Sequence, residues 1–162
     1  MKRKIYLNDM TPDEKLLMAV VKAGEIFKRA VSAVFRDHGL SFPQYNVLRV
    51  LDACRDGQVK ISDVSRIMLV AGANMTGVAK RLEKSGFIVR KADPSDERVT
   101  MLEITPKGRE TLKDIEKKRQ ECDRAMLQGF SEEQKSELMK NVRQLIRNSL
   151  QLSLSPPSRD HE

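Results

Sequence analysis

The chain has 162 residues, 33% charged and 40% hydrophobic, which is a globular mix of about one domain's length rather than a disordered one. Two cysteines, two histidines and no apolar run near the roughly 20 residues of a membrane span exclude a zinc-ligand set, a disulfide framework and a transmembrane helix. The net charge of +7 fits a polyanion partner, but where that charge sits matters more than its sum.

Thr11-Pro12-Asp13-Glu14 reads as a capping box with Pro at the first helical position. Leu17, Val20, Val21, Gly24, Phe27, Val31, Val34 and Phe35 then recur at three- and four-residue steps, an apolar stripe that Gly39 terminates. A second helix opens at Ser41-Phe42-Pro43-Gln44, buries Tyr45, Val47, Leu48 and Leu51, and stops near Asp56-Gly57. Ile61, Val64, Ile67 and Met68 mark a short third helix, interrupted by Leu69 to Ala73. The fourth turns Met75, Val78, Ala79 and Leu82 inward and ends at Ser85-Gly86. Two short helices about a small-residue turn form a helix-turn-helix pattern.

The period then changes. Residues 87–92 and 99–104 are rich in β-branched side chains, and the polar stretch Asp93 to Arg98 lies between them, so the segment reads as a β-hairpin with a six-residue tip. This hairpin is the one sheet the sequence signals. Thr105-Pro106 opens a helix through Leu112, Ile115 and Cys122 that Gly129 breaks. Ser131-Glu132-Glu133-Gln134 caps a last helix with Leu138, Val142, Leu145, Ser149 and Leu152 on one stripe. The expected class is mainly α with a small β-hairpin wing.

From Lys60 to Lys91 there are seven basic and two acidic residues, a net of +5 in one fifth of the chain. With Met75, Val78 and Leu82 inward, the fourth helix turns Asn74, Thr76, Gly77, Lys80, Arg81 and Lys84 outward. Asn can bond an adenine edge and Thr can meet a thymine methyl or a phosphate, so Asn74, Thr76 and Gly77 are expected near bases. Lys80, Arg81 and Lys84 suit phosphates or the groove edge. At the hairpin tip, Asp96 can orient Arg98 for a narrow minor groove. An exposed Asp–Arg pair is equally an ordinary surface ion pair, and spacing alone leaves both readings open.

The sequence resembles the MarR-type regulators over about residues 11 to 152. The resemblance is carried by Leu82-Glu83-Lys84-Ser85-Gly86-Phe87-Ile88, Arg90, Asp93-Pro94-Ser95-Asp96-Glu97-Arg98 and Ile104-Thr105-Pro106-Lys107-Gly108, with Leu40 to Tyr45 as a second-helix opening. It implies a winged helix-turn-helix over residues 39–104, flanked by dimerisation helices over 1–38 and 105–152. Residues 153–162, with Pro156-Pro157, are expected to be a disordered tail. It implies a homodimer on a pseudo-palindromic duplex, acting as a repressor; the lack of a disulfide framework makes a reducing cytosol the expected compartment. Asp96 and Arg98 match the wing pair, and Thr76 and Arg81 match recognition-helix contacts. Gly77 departs from the family, standing where many members carry a larger side chain.

Members of the family bind small anionic aromatics, which makes a small aromatic or anionic effector the expected ligand, with His38 and Tyr45 as candidate residues. Capping and packing are the other roles open to these two. Cys54 and Cys122 read as buried small hydrophobes, because the first helix lacks the cysteine of the family's peroxide sensors. No nucleophile–base pair, metal set or phosphate loop is visible, so no catalysis, cofactor or metal is expected. Met1-Lys2-Arg3-Lys4 is basic without a following apolar stretch, so no signal peptide is expected. The competing reading is a winged-helix interaction module with an acidic protein partner, which the +5 window also fits.

Overall fold

The computed structural model describes residues 10–154, and the expected tail lies outside these from residue 155 on. The element order is α1 (Pro12–Arg36), α2 (Phe42–Ala53), β1 (Gln58–Lys60), α3 (Ile61–Ile67), α4 (Gly72–Lys84), β2 (Ile88–Asp93), β3 (Asp96–Ile104), α5 (Pro106–Met126) and α6 (Glu132–Leu154). The described residues divide into two compact units between Cys122 and Asp123, and the core described below belongs to the first.

The helix starts follow the expected cap chemistry. At α1, the Glu14 amide donates to Thr11 Oγ1 at 3.2 Å and the Thr11 amide to Glu14 Oε2 at 2.7 Å. At α2, the Ser41 amide donates to Gln44 Oε1 at 2.8 Å, and at α6 the Ser131–Gln134 pair repeats the reciprocal box. Each box satisfies donors that the first helical turn leaves open.

One core joins Val31 and Phe35 of α1, Val47, Leu48 and Leu51 of α2, Val64 of α3, and Met75, Ala79 and Leu82 of α4 to Leu102 and Ile104 of β3 and Ile115 of α5. Phe35 stacks on Tyr45 with ring centroids 3.9 Å apart. The helix-turn-helix is therefore fixed on its inner side by α1, α2, α5 and the sheet, which leaves the outer side of α4 uncovered.

Two features depart from the sequence reading. The sheet has three strands in the order β1-β3-β2, all antiparallel, with Val59 opposite Leu102 and Ile88 opposite Ile104. β1 is three residues with one apolar member, too short to show a period, and the hairpin is therefore not the whole sheet. The strands also run into the expected six-residue tip. Asp93 pairs with Asp96, the turn narrows to Pro94-Ser95, and Arg98 lies within β3. A third feature left no trace in the sequence: Leu69 takes the left-handed conformation, φ 52°, that closes α3 before α4 begins.

The start of α5 is held by close approach. Thr105 Oγ1 accepts from the Gly108 amide at 3.1 Å and donates to the Gly86 carbonyl at 2.8 Å. Lys107 Nζ donates to the Ser85 carbonyl at 2.7 Å and lies 4.7 Å from the Phe87 ring centroid. A Cβ on Gly108 would sit 2.5 Å from the Phe87 carbonyl oxygen and 2.8 Å from Ile104 Cγ1. Gly108→Ala is therefore expected to destabilise the fold by about 1–3 kcal/mol, as forced overpacking does. A fall in the urea midpoint at unchanged slope checks it, and an unchanged midpoint would contradict the close packing.

Candidate nucleic-acid interface

α4 presents two chemically different sides. Met75, Val78, Ala79 and Leu82 are buried, while Asn74, Thr76, Lys80, Arg81 and Lys84 are exposed and Gly77 is half-buried. All six outward residues named from the sequence thus share one surface. Ala73 belongs with them. At 100° per residue it lies in line with Gly77, Lys80 and Lys84 at the centre of the exposed side, with Asn74 and Thr76 flanking it. The sequence reading missed Ala73 because it began the helix after this residue rather than at Gly72.

The local charge is more selective than the +5 window suggests. Lys60 pairs with Asp93 at 3.3 Å, Arg66 with Asp63 at 2.8 Å, Arg90 with Glu83 at 2.7 Å, and Lys91 with Glu103. Arg90 ties the end of α4 to β2, and Lys91 ties β2 to β3. Among the described residues, Lys80, Arg81 and Lys84 enter no ion pair, so the uncompensated charge collects on the outward side of α4. Net sequence charge spread over four elements becomes a stripe on one helix, which is the distribution a phosphate-facing surface needs.

Thr76 is more constrained than its exposure implies. Its hydroxyl donates to the Gly72 carbonyl at 3.0 Å. With that proton engaged in the helix, the side chain offers a methyl and an oxygen that can only accept.

In the wing, one carboxylate oxygen organises the arginine. Asp96 Oδ1 accepts from the Arg98 amide at 3.1 Å and from Arg98 Nε at 3.3 Å. The Arg98 side chain is otherwise 94% exposed. Below it, Asp93 is nearly buried and accepts the Ser95 amide at 2.8 Å while Lys60 of β1 closes on its other oxygen. The two-residue turn is thus fixed by Asp93 and by the strand that the sequence did not reveal. Asp93 was visible in sequence as a turn residue, but its partner Lys60 lies 33 positions earlier.

The Ser95 amide, and behind it Lys60, hold the Asp93 carboxyl below its ordinary value of 3.8. A carboxylate depressed in the folded state contributes stability that is present above the ordinary value and lost as pH falls through the lowered one. The Ser95 amide signal is therefore expected to titrate with its midpoint below 3.8. An NMR titration checks this, and a midpoint at or above that value would contradict the Asp93 contact.

The structure places the two effector candidates differently. A cleft of about 240 Å³ is lined by Phe27, Phe35, Phe42, Tyr45, Arg49 and Arg119, among others. Tyr45 forms part of this lining but is buried and stacked on Phe35. His38 is not among the lining residues, and its amide donates to the Phe35 carbonyl in the turn after α1. Arg49 and Arg119, which the sequence reading passed over, are the charged groups of the cleft, and Arg49 also reaches Glu116 at 3.9 Å. The cysteines are half-buried rather than buried. Cys54 donates its thiol to the Val50 carbonyl, and Cys122 packs against the core edge.

Comparison with known proteins adds independent findings. The model of the MarR family matches residues 40–100. The chain is 34% identical over 97 residues to the HTH-type transcriptional regulator TtmR of Methylorubrum extorquens, covering 60% of this chain and 49% of that protein. It is 31% identical over 101 residues to the HTH-type transcriptional regulator MhqR of Bacillus subtilis, covering 62% of this chain and 68% of that protein. The match to TtmR thus spans about half of that relative's length.

A probable transcriptional regulator from Pseudomonas aeruginosa superposes with a TM-score of 0.70 at 25% identity, covering 82% of this chain and 98% of that one. Sco3205, a MarR family transcriptional regulator from Streptomyces coelicolor solved in complex with DNA, gives 0.77 at 20% identity, covering 94% and 95%. BpsR of Bordetella bronchiseptica, whose DNA binding is regulated by 6-hydroxynicotinic acid, gives 0.72 at 20%, covering 82% and 98%. At 20% identity these last two likenesses bear on the fold alone.

Proposed function

Because the chain belongs to the MarR family of transcriptional regulators, we propose that it represses transcription as a homodimer bound to a pseudo-palindromic DNA duplex. The observation that carries this reading is the segregation of charge. The ion pairs of the helix-turn-helix neutralise every basic residue from Lys60 to Lys91 except Lys80, Arg81 and Lys84, and these three share the exposed side of α4 with Asn74, Thr76 and Gly77. Arg98 extends from the wing, 94% exposed. In this reading α4 enters the major groove, its cations meet phosphates, and Arg98 anchors in the adjacent minor groove. A protein partner with an acidic surface would have no need of uncharged, amide- and methyl-bearing positions at the start of α4.

Apolar side chains remain exposed on both flanks. Leu17, Val21 and Ile26 of α1 are 50%, 61% and 51% accessible, and Leu138, Met139 and Ile146 of α6 are 43%, 53% and 48% accessible. Exposure of this kind on each helix marks an interface, and a second copy of the chain is the proposed occupant. The Phe27–Phe42 cleft, with Arg49 and Arg119, is the proposed site of a small anionic aromatic effector that relieves binding. Among the described residues no helix is long and apolar enough to cross a membrane, and the cytoplasm is the proposed location.

Selection of bound duplexes from a random pool tests the reading. The expected product is a motif with dyad symmetry, half-sites about one helical turn apart, and affinity that falls steeply with salt. Failure to bind any duplex at low salt would overturn it.

A further inference from the structure

We infer that this regulator selects thymine methyl groups, and hence A·T pairs, at the centre of each half-site, through Ala73, Asn74, Thr76 and Gly77. The inference rests on the DNA-binding reading above and adds what is bound within the groove. The first two turns of the exposed α4 side carry no formal charge and no long side chain. Basic residues begin only at Lys80. The commonest guanine contact is a bidentate Arg or Lys on O6 and N7. None of the four leading positions can supply one.

What these positions do supply is specific. Ala73 is exposed and ends in a methyl. Thr76 has engaged its proton with the Gly72 carbonyl, so it cannot donate to guanine O6 or N7, or to thymine O4, without breaking that bond. It presents a methyl, which matches a thymine C5 methyl, and an acceptor, which matches an adenine N6 or cytosine N4 amino group, so the methyl carries the selection. The Asn74 amide is exposed and makes no hydrogen bond among the described residues. It is the one group here able to bond adenine N6 and N7 together.

Gly77 completes the surface. A Cβ there would meet nothing nearer than Arg81 Nη1 at 3.6 Å, so packing within the chain does not require a glycine. Glycine within a helix costs about 1 kcal/mol relative to alanine. The compensating use is room. Gly77 lies in line with Ala73, and leaving out its side chain makes room, bordered by Arg81 Nη1, for a recess where the groove floor would approach. A thymine methyl is the major-groove group that projects into such a space.

The test uses the full-length protein and the duplex selected from the random pool. Each thymine of a half-site is replaced in turn by deoxyuridine, which keeps its base pair and removes only the methyl. At one position or more in each half-site, binding is expected to weaken about fourfold, the effect of one buried methyl-sized group. Gly77→Ala should fold at least as stably as the parent, keep its salt dependence, and lose most of this sensitivity because its own methyl fills the recess. A selected motif with G·C pairs at the half-site centre, or one indifferent to every deoxyuridine replacement, would overturn the inference and leave the DNA-binding reading intact. Absence of binding to any duplex would remove both, so the two failures are distinct.

Discussion

Arg98→Ala is expected to weaken binding of the selected duplex by about 1–3 kcal/mol per wing while leaving folding stability within roughly 0.5 kcal/mol of the parent. The two halves of this expectation come from the same geometry. The guanidinium is 94% exposed, and its one ion pair, Nε to Asp96 Oδ1 at 3.3 Å, is of the surface kind that contributes about 0–1 kcal/mol to stability. Removing it therefore costs the fold little. The same carboxylate oxygen also accepts the Arg98 amide at 3.1 Å, so the side chain leaves the strand in a defined direction. An arginine already oriented loses less freedom on entering a groove than one that is not. Asp96→Ala should accordingly weaken binding by less than Arg98→Ala, because it removes the orientation and keeps the charge. Fluorescence anisotropy across a salt series separates this from phosphate contact. Lys84→Ala should reduce the salt slope by about one per subunit and weaken all duplexes alike. Unchanged affinity in Arg98→Ala would remove the wing from the interface.

Much of this arrangement was legible in the sequence, because it depends on local rules. Thr11–Glu14, Ser41–Gln44 and Ser131–Gln134 announce helix starts through side chains three residues apart, and the structure uses all three. The inward set Met75, Val78, Ala79 and Leu82 follows from helix periodicity, and the outward set follows from it by subtraction. What the sequence concealed depends on distant partners. β1 exists because Val59 meets Leu102, and three residues cannot declare a strand alone. The wing looked like a six-residue loop because Asp93 and Asp96 are polar. They pair nonetheless, since Asp93 is held by Lys60 from across the sheet. The +5 window was a correct count, but it could not reveal that four of its cations are neutralised in the folded chain and three are not. Leu69 in a left-handed turn has no sequence signal, because the residue usually found there is glycine.

Separating the two copies should have the larger effect on DNA binding. Val142→Glu combined with Ile146→Glu puts two charges on an α6 surface where these residues are 37% and 48% exposed within one chain. Glutamate is a good helix former, so α6 should persist while its apolar contact with a second copy is lost. Sedimentation equilibrium is expected to show a monomer. Affinity for the full palindromic duplex should fall by about 10²–10⁴-fold, the advantage of joining two binding events. Affinity for a duplex bearing one half-site should not change. A monomer that binds the full site as tightly as the parent would refute the dimer reading, and so would a variant that remains dimeric. The two predictions also constrain each other. In a symmetric dimer both wings lose their arginine at once, and losses at half-sites about one helical turn apart are expected to add. Arg98→Ala made in the monomeric background should therefore cost about half the free energy it costs in the dimer. A full-sized loss in the monomer would mean that one wing alone engages the groove, which a pseudo-palindromic mode of binding does not permit.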